Sequence, residues 1–245
     1  MAETPSKPPV ASTGSRGLFS RLMGVLMSPR SAYADVVARP RILGALAVVS
    51  LLVIGGTFAF MSTEVGKQAL LDQQVRQMES FGRTMTDAQY ERMEQFSRFA
   101  PYFTAAGQLV SLPLVALVIA GIAFAVFNAM LGGDASFKQA YAVVVHSGIV
   151  LVVQQLFTLP LDYARETLSS PTNLAVFLPF LDENSFAARM LGSIDLFLIW
   201  WAINLAIGLG VLYRKRTGPI ATTLLVIYVA IAVIIAAVKS AVSGA

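Results

Sequence analysis

Two ionisable side chains lie well inside apolar runs of this chain, His146 and Asp195. A charge at the centre of a membrane-spanning helix costs roughly 2.5–3.5 kcal/mol, so each must do chemistry or be held by partners. An imidazole and a carboxylate in contact could relay a proton. Depth separates them, however. At 1.5 Å per residue Asp195 lies about 6 Å in from one membrane face and His146 about 9 Å in from the other. Gln154 and Gln155 come closer to the depth of Asp195, and Asn204 and Asn128 to that of His146, which predicts two layers of interhelical hydrogen bonding. His146 then reads as a neutral imidazole bonded to a polar neighbour. Asp195 reads as a span-end carboxylate that accepts hydrogen bonds and gains roughly 0.3–1 kcal/mol from the helix dipole.

Other catalytic patterns are thin. Leu131-Gly132-Gly133-Asp134 has the outline of an intramembrane aspartyl protease motif, but no second Asp stands in a matched context. Acid and base roles need two carboxylates whose environments set them apart, so this segment reads as a turn. Ser136 and Lys138 sit two residues apart in a surface loop, without the setting of a Ser-Lys catalytic pair. The chain has no Cys and a single His. That excludes disulfides, thiolate metal sites and His-rich metal centres, and neither a metal nor a cofactor is expected.

The elements that must position these residues follow from composition. The 245 residues are 56% hydrophobic and 13% charged, with a mean hydropathy of +0.68. A soluble domain is about 45–50% apolar and about 25% charged. The class is therefore an all-α polytopic membrane bundle, and the scattered basic residues form no stripe for nucleic acid. Five apolar runs, at about 42–61, 103–131, 140–161, 191–213 and 220–238, are each long enough to cross about 30 Å of hydrocarbon.

Basic residues near span ends set orientation. With the N-terminus in the cytoplasm, the inner segments carry Lys7, Arg16, Arg21, Arg30, Arg39, Arg41, Lys138, Arg214, Lys215 and Arg216 against Glu3, Asp35 and Asp134. Five of the eight basic residues on the other side sit among six acids at 64–98. The N-terminus is accordingly predicted inside and the C-terminus outside.

Residues 1–17 are polar and rich in Pro, Ser and Thr, which predicts a disordered tail and no ordinary cleaved signal peptide. The remainder, 18–245, reads as one domain. Leu18, Phe19, Leu22, Met23 and Leu26 recur at helical spacing, with Arg16, Ser20, Arg21 and Gly24 elsewhere on the wheel. That pattern predicts an interfacial amphipathic helix over 18–27, lying flat on the membrane. It is ended by Ser28-Pro29, and a second short helix fits between Ser31 and Ala38. The 64–98 insert reads as a helical hairpin, broken at Gly82 and restarted by a capping box at Thr86-Asp87-Ala88-Gln89. Pro113 is expected to kink the second span and Pro160 to end the third. Gly55-Gly56, Gly208 and Gly210 mark close helix contacts.

Three patches in order resemble the Yip1-domain family in its bacterial form. They are Phe19 to Arg30 (FSRLMGVLMSPR) with Ala38-Arg39-Pro40, the loop from Gly132 and Gly133 through Ser136, Phe137, Lys138 and Gln139 to Ala140, and Asp195-Leu196-Phe197 with Trp200 and Gly208. The likeness spans roughly 18 to 238 and implies a five-span protein with a cytoplasmic N-terminus. Eukaryotic relatives are associated with membrane trafficking, Rab GTPases and their own paralogues; a bacterium has no Rab cycle. The resemblance implies a non-enzymatic bacterial inner-membrane protein that binds or organises membrane proteins or lipids. Expected partners are the bilayer, anionic lipid at the basic N-terminal helix, and a membrane protein or a second copy. A permease component with Asp195, Gln154 and Asn204 along a polar path, and an intramembrane hydrolase, are the rival readings.

Overall fold

A computed structural model of the chain describes residues 17–80, 82–182 and 185–243, so the polar tail lies outside the described residues. Among these, regular structure is helical apart from one antiparallel bridge between Asn173 and Asp195. In chain order come α1 (Leu18–Met27), α2 (Pro29–Ala38), α3 (Leu43–Met61), α4 (Glu64–Ser80), α5 (Asp87–Ser97) and α6 (Ala100–Phe124). The last continues as a π-helical turn, Ala125–Met130. Then follow α7 (Phe137–Ser147), α8 (Ile149–Arg165), a 3-10 turn at Leu174–Phe177, α9 (Phe186–Gly192), α10 (Leu196–Leu212) and α11 (Thr217–Ser243).

Four helices are long and apolar enough to cross a membrane: Leu43–Met61, Ala100–Met130, the α7–α8 rod Phe137–Arg165, and Thr217–Val242. The fourth predicted span is the short apolar helix α10, of 17 residues. It starts at Leu196 and not at 191 because Asp195 caps it. The second, third and fifth spans begin before their hydropathy edges, at Ala100, Phe137 and Thr217, while the first keeps its predicted bounds to within one residue. The rod continues through Pro160 to Arg165, so Pro160 does not end the third span, and the break falls at Gly148 instead.

The α7–α8 rod is the centre of the bundle. Its apolar window is 61% buried, whereas those of the other three long helices are 11–17% buried and face outward. Around α7 pack α6, α10 and α2, while α8 lies on α3. Lipid tails are as apolar as leucine, so such helices associate through close van der Waals packing and polar bonds.

The amphipathic segment forms a helix over the predicted residues, but its buried side mixes the two faces of the wheel. Arg21, Leu22, Gly24 and Val25 are buried, whereas Phe19 and Met27 are 78% and 79% exposed. The helix packs onto α2, α7 and α8, with Arg21 inward among Leu22 and Val25 and with Ser20 exposed. Pro29 stands in the first turn of α2, where its missing N–H leaves no bond unmade. At the opposite end of the bundle α4 and α5 form the hairpin insert. Gly82 takes a left-handed φ of 68° between them, and Gln89 Oε1 accepts from Thr86 N at 3.0 Å to start α5.

Candidate functional site

Asp195 anchors one end of the bundle. Its Oδ1 accepts from Phe197 N at 2.8 Å and Leu198 N at 3.4 Å, capping α10, and from Gln154 Nε2 at 3.2 Å on α8. Its Oδ2 accepts from Ser170 Oγ and Thr172 Oγ1, both at 2.6 Å. The bridge to Asn173 holds that loop in place, with Leu174 N on Ile194 O at 2.9 Å and Leu196 N on Thr172 O at 3.1 Å. From α11, Tyr228 Oη accepts from Asp195 N at 2.8 Å and donates to Ser193 O at 3.1 Å. Five donors surround one carboxylate that is 6% exposed. Charge-assisted bonds of this kind compensate an ionised carboxylate for lost water.

A second polar cluster sits nearer the other end, and it is built by the N-terminal helices. Tyr33 Oη donates to Asn204 Oδ1 at 2.5 Å, and Asn204 Nδ2 donates to Val25 O at 2.9 Å. Burial pushes the Tyr33 phenol above its usual range, so it remains a donor. Arg21 Nε lies 2.6 Å from Asp35 Oδ2, and Arg21 Nη1 donates to Arg39 O at 3.0 Å. This ion pair ties α1 to α2 across the Ser28-Pro29 corner. Gln139 Nε2 donates to Val37 O at 3.0 Å and ties α2 to the start of α7.

His146 lies in the same half, fully buried, with Nδ1 2.8 Å from Ala142 O of its own helix. Its Nε2 has no hydrogen-bond partner among the described residues. Asn204 bonds the N-terminal helices and Asn128 bonds Ala135 O at 2.7 Å, so neither reaches His146. Gln155 serves a third contact, donating to Val53 O and Thr57 Oγ1, each at 2.8 Å, while Gln108 Nε2 donates to the same Thr57 hydroxyl at 3.2 Å. The structure thus brings Asp195 and Gln154 together and places Asn204 and His146 apart from them.

The loop before α7 owes its residue types to geometry. Gly132 adopts φ 67°, a left-handed conformation that glycine takes without strain. At Gly133 a Cβ would stand 2.8 Å from Phe127 O and 2.9 Å from the Tyr213 ring. Ser136 caps α7, its Oγ accepting from Gln139 N at 3.3 Å while Gln139 Oε1 accepts from Ser136 N at 2.9 Å. Phe137 stacks on Tyr141 and meets Phe124 edge-on. Lys138 is exposed, and Trp200 is half-buried with its ring tilted against Phe197. At Gly208 a Cβ would fall 2.6 Å from Val143 Cγ1 and 2.9 Å from the Tyr33 ring. Only hydrogen fits where α2, α7 and α10 converge.

Sequence reasoning passed over Tyr33, Asp35, Ser170, Thr172 and Tyr228 as site residues. The available signal for the first two was a short helix with a Tyr and an Asp set between two prolines, Pro29 and Pro40. Ser170 and Thr172 lie on an irregular loop, where no periodicity points anywhere.

The comparisons with known proteins fit this architecture. Neither the curated proteins nor the solved structures contain a match to this chain. The sequence profile of the Yip1 domain matches residues 23–238, nearly the whole chain, and takes in both polar clusters except Arg21 in the first half of α1. On that match the chain belongs to the Yip1 family of membrane proteins.

Proposed function

We propose that this Yip1-family protein is a non-enzymatic, five-span component of the bacterial inner membrane that binds or organises other membrane proteins or lipids. The observation that carries this reading is the saturation of Asp195. Both carboxylate oxygens are occupied by capping amides and by Gln154, Ser170 and Thr172, which suits a structural clamp better than a general acid or base. The N-terminus is assigned to the cytoplasm. Arg39, Arg41, Lys138 and Arg214–Arg216 flank the helix ends on that side, in the pattern that follows the positive-inside rule. Arg21 is buried in its ion pair, so any contact of the N-terminal helices with anionic headgroups falls to exposed residues such as Arg30.

The test is purification from the source membrane in native nanodiscs, followed by mass spectrometry of what remains bound. A reproducible protein or one enriched lipid class supports the reading. A bare, folded protein overturns it, and substrate flux that is lost in a folded Asp195→Asn variant would replace it with a transport path.

A further inference from the structure

α6 packs chiefly on α3 and α7, while α11 packs chiefly on α10. Between these two pairs runs a groove of about 780 Å³. Its walls are apolar along most of their length, with Ile119 on α6, Trp201 on α10 and Ile227 on α11. One end differs. There Lys215 and Arg216 line the groove, both exposed and neither with an ion-pair partner among the described residues. The π-helical turn closes the same end with Val126 and Phe127, and such widened turns in α-helices recur where helices shape a site.

The dimensions select the occupant. From Pro219 to Ile231, both on the α11 wall, the groove runs about 18 Å at 1.5 Å per residue, against about 15 Å for the hydrocarbon of one leaflet. That length matches an acyl chain of one leaflet and falls well short of the about 30 Å along which a spanning helix of a partner or a second copy would pack. A neutral chain would leave the two cations unanswered. A phosphate at the same depth would neutralise them.

We propose that this groove holds one anionic glycerophospholipid, drawn from the leaflet that Lys215 and Arg216 face. Its phosphate lies between those two side chains and an acyl chain lies along the apolar walls. This site is separate from the N-terminal helices. It deepens the binding reading above by naming a ligand class, and a protein that organises only other proteins would keep that reading while failing the following test.

The full chain, delipidated and then exchanged through nanodiscs of phosphatidylcholine with or without phosphatidylglycerol, is released into detergent for native mass spectrometry. One phosphatidylglycerol is expected on each wild-type chain. Lys215→Ala combined with Arg216→Ala should reduce its retention about thirtyfold, while leaving retained phosphatidylcholine unchanged. Thr223 lies on the exposed groove wall, so Thr223→Trp fills the space without displacing core and should reduce retention of both lipids. Equal retention of the two lipids by the wild type, a folded wild type without lipid, or full retention in Thr223→Trp would each overturn the proposal. Chain-to-chain cross-linking through Thr223→Cys would overturn it in favour of a second copy.

Discussion

At the scale of single residues, polar side chains in this protein are held by partners that come from far along the chain. Asp195 takes up five donors, so Asp195→Ala removes a helix cap and strands Ser170, Thr172 and Gln154 together. The expected loss is about 2–4 kcal/mol, read as a lower thermal midpoint in detergent. Asp195→Asn still caps α10 and should lose about half as much. Arg21 and Asp35 follow another rule. Removing Asp35 strands the buried Arg21 charge and should cost about 3–5 kcal/mol, removing Arg21 leaves only the half-buried Asp35 and should cost less, and Arg21→Met with Asp35→Leu should come close to wild type. The importance of Asp195 was legible because a lone acid in an apolar run demands an explanation. The burial of Arg21 was not, because a helical wheel sorts residues as if water lay on the polar side. In this bundle the outer medium is lipid, so Arg21 turns inward to Asp35 beside Leu22 and Val25, while Phe19 and Met27 turn out.

At the scale of helices, contact distance is set by single small residues. Gly208 stands where α10 meets both α2 and α7, and a methyl group there collides with Val143 and Tyr33. Gly208→Ala should therefore destabilise the fold by about 1–3 kcal/mol and weaken the Tyr33–Asn204 bond beside it. Loss of protection of the α2 amides in hydrogen exchange, with α11 unaffected, would locate the damage. Hydropathy made the existence of these helices plain, and the family's glycines were visible as small residues in apolar runs. Their ends were hidden. α10 begins where Asp195 caps it, α6 runs on through a π-helical turn, and α8 passes through Pro160, since neighbours in the bundle override local preference.

At the scale of the whole molecule, the basic end of the bundle gathers the α2 C-terminus, the loop before α7 and the α10–α11 turn. The chain has no cysteine, so single replacements report orientation without background. Lys138→Cys and Lys215→Cys should react with an impermeant maleimide only from the cytoplasmic side, and Asp87→Cys only from the other; the reverse pattern would invert the topology. The same arrangement constrains how the protein is made. Val25 and Tyr33 bond to Asn204, 179 and 171 residues further on. At about 5–20 residues per second of synthesis, their acceptor and donor emerge roughly 9–36 s after they do. Helices α1 and α2, made before the other described helices, thus complete their polar bonds among the last. Before α7 emerges they hold each other through Arg21 and Asp35, with the surface-lying pose written in the wheel of α1 open to them; Gln139 then ties α2 to α7, and the polar groups of Val25 and Tyr33 still wait for α10.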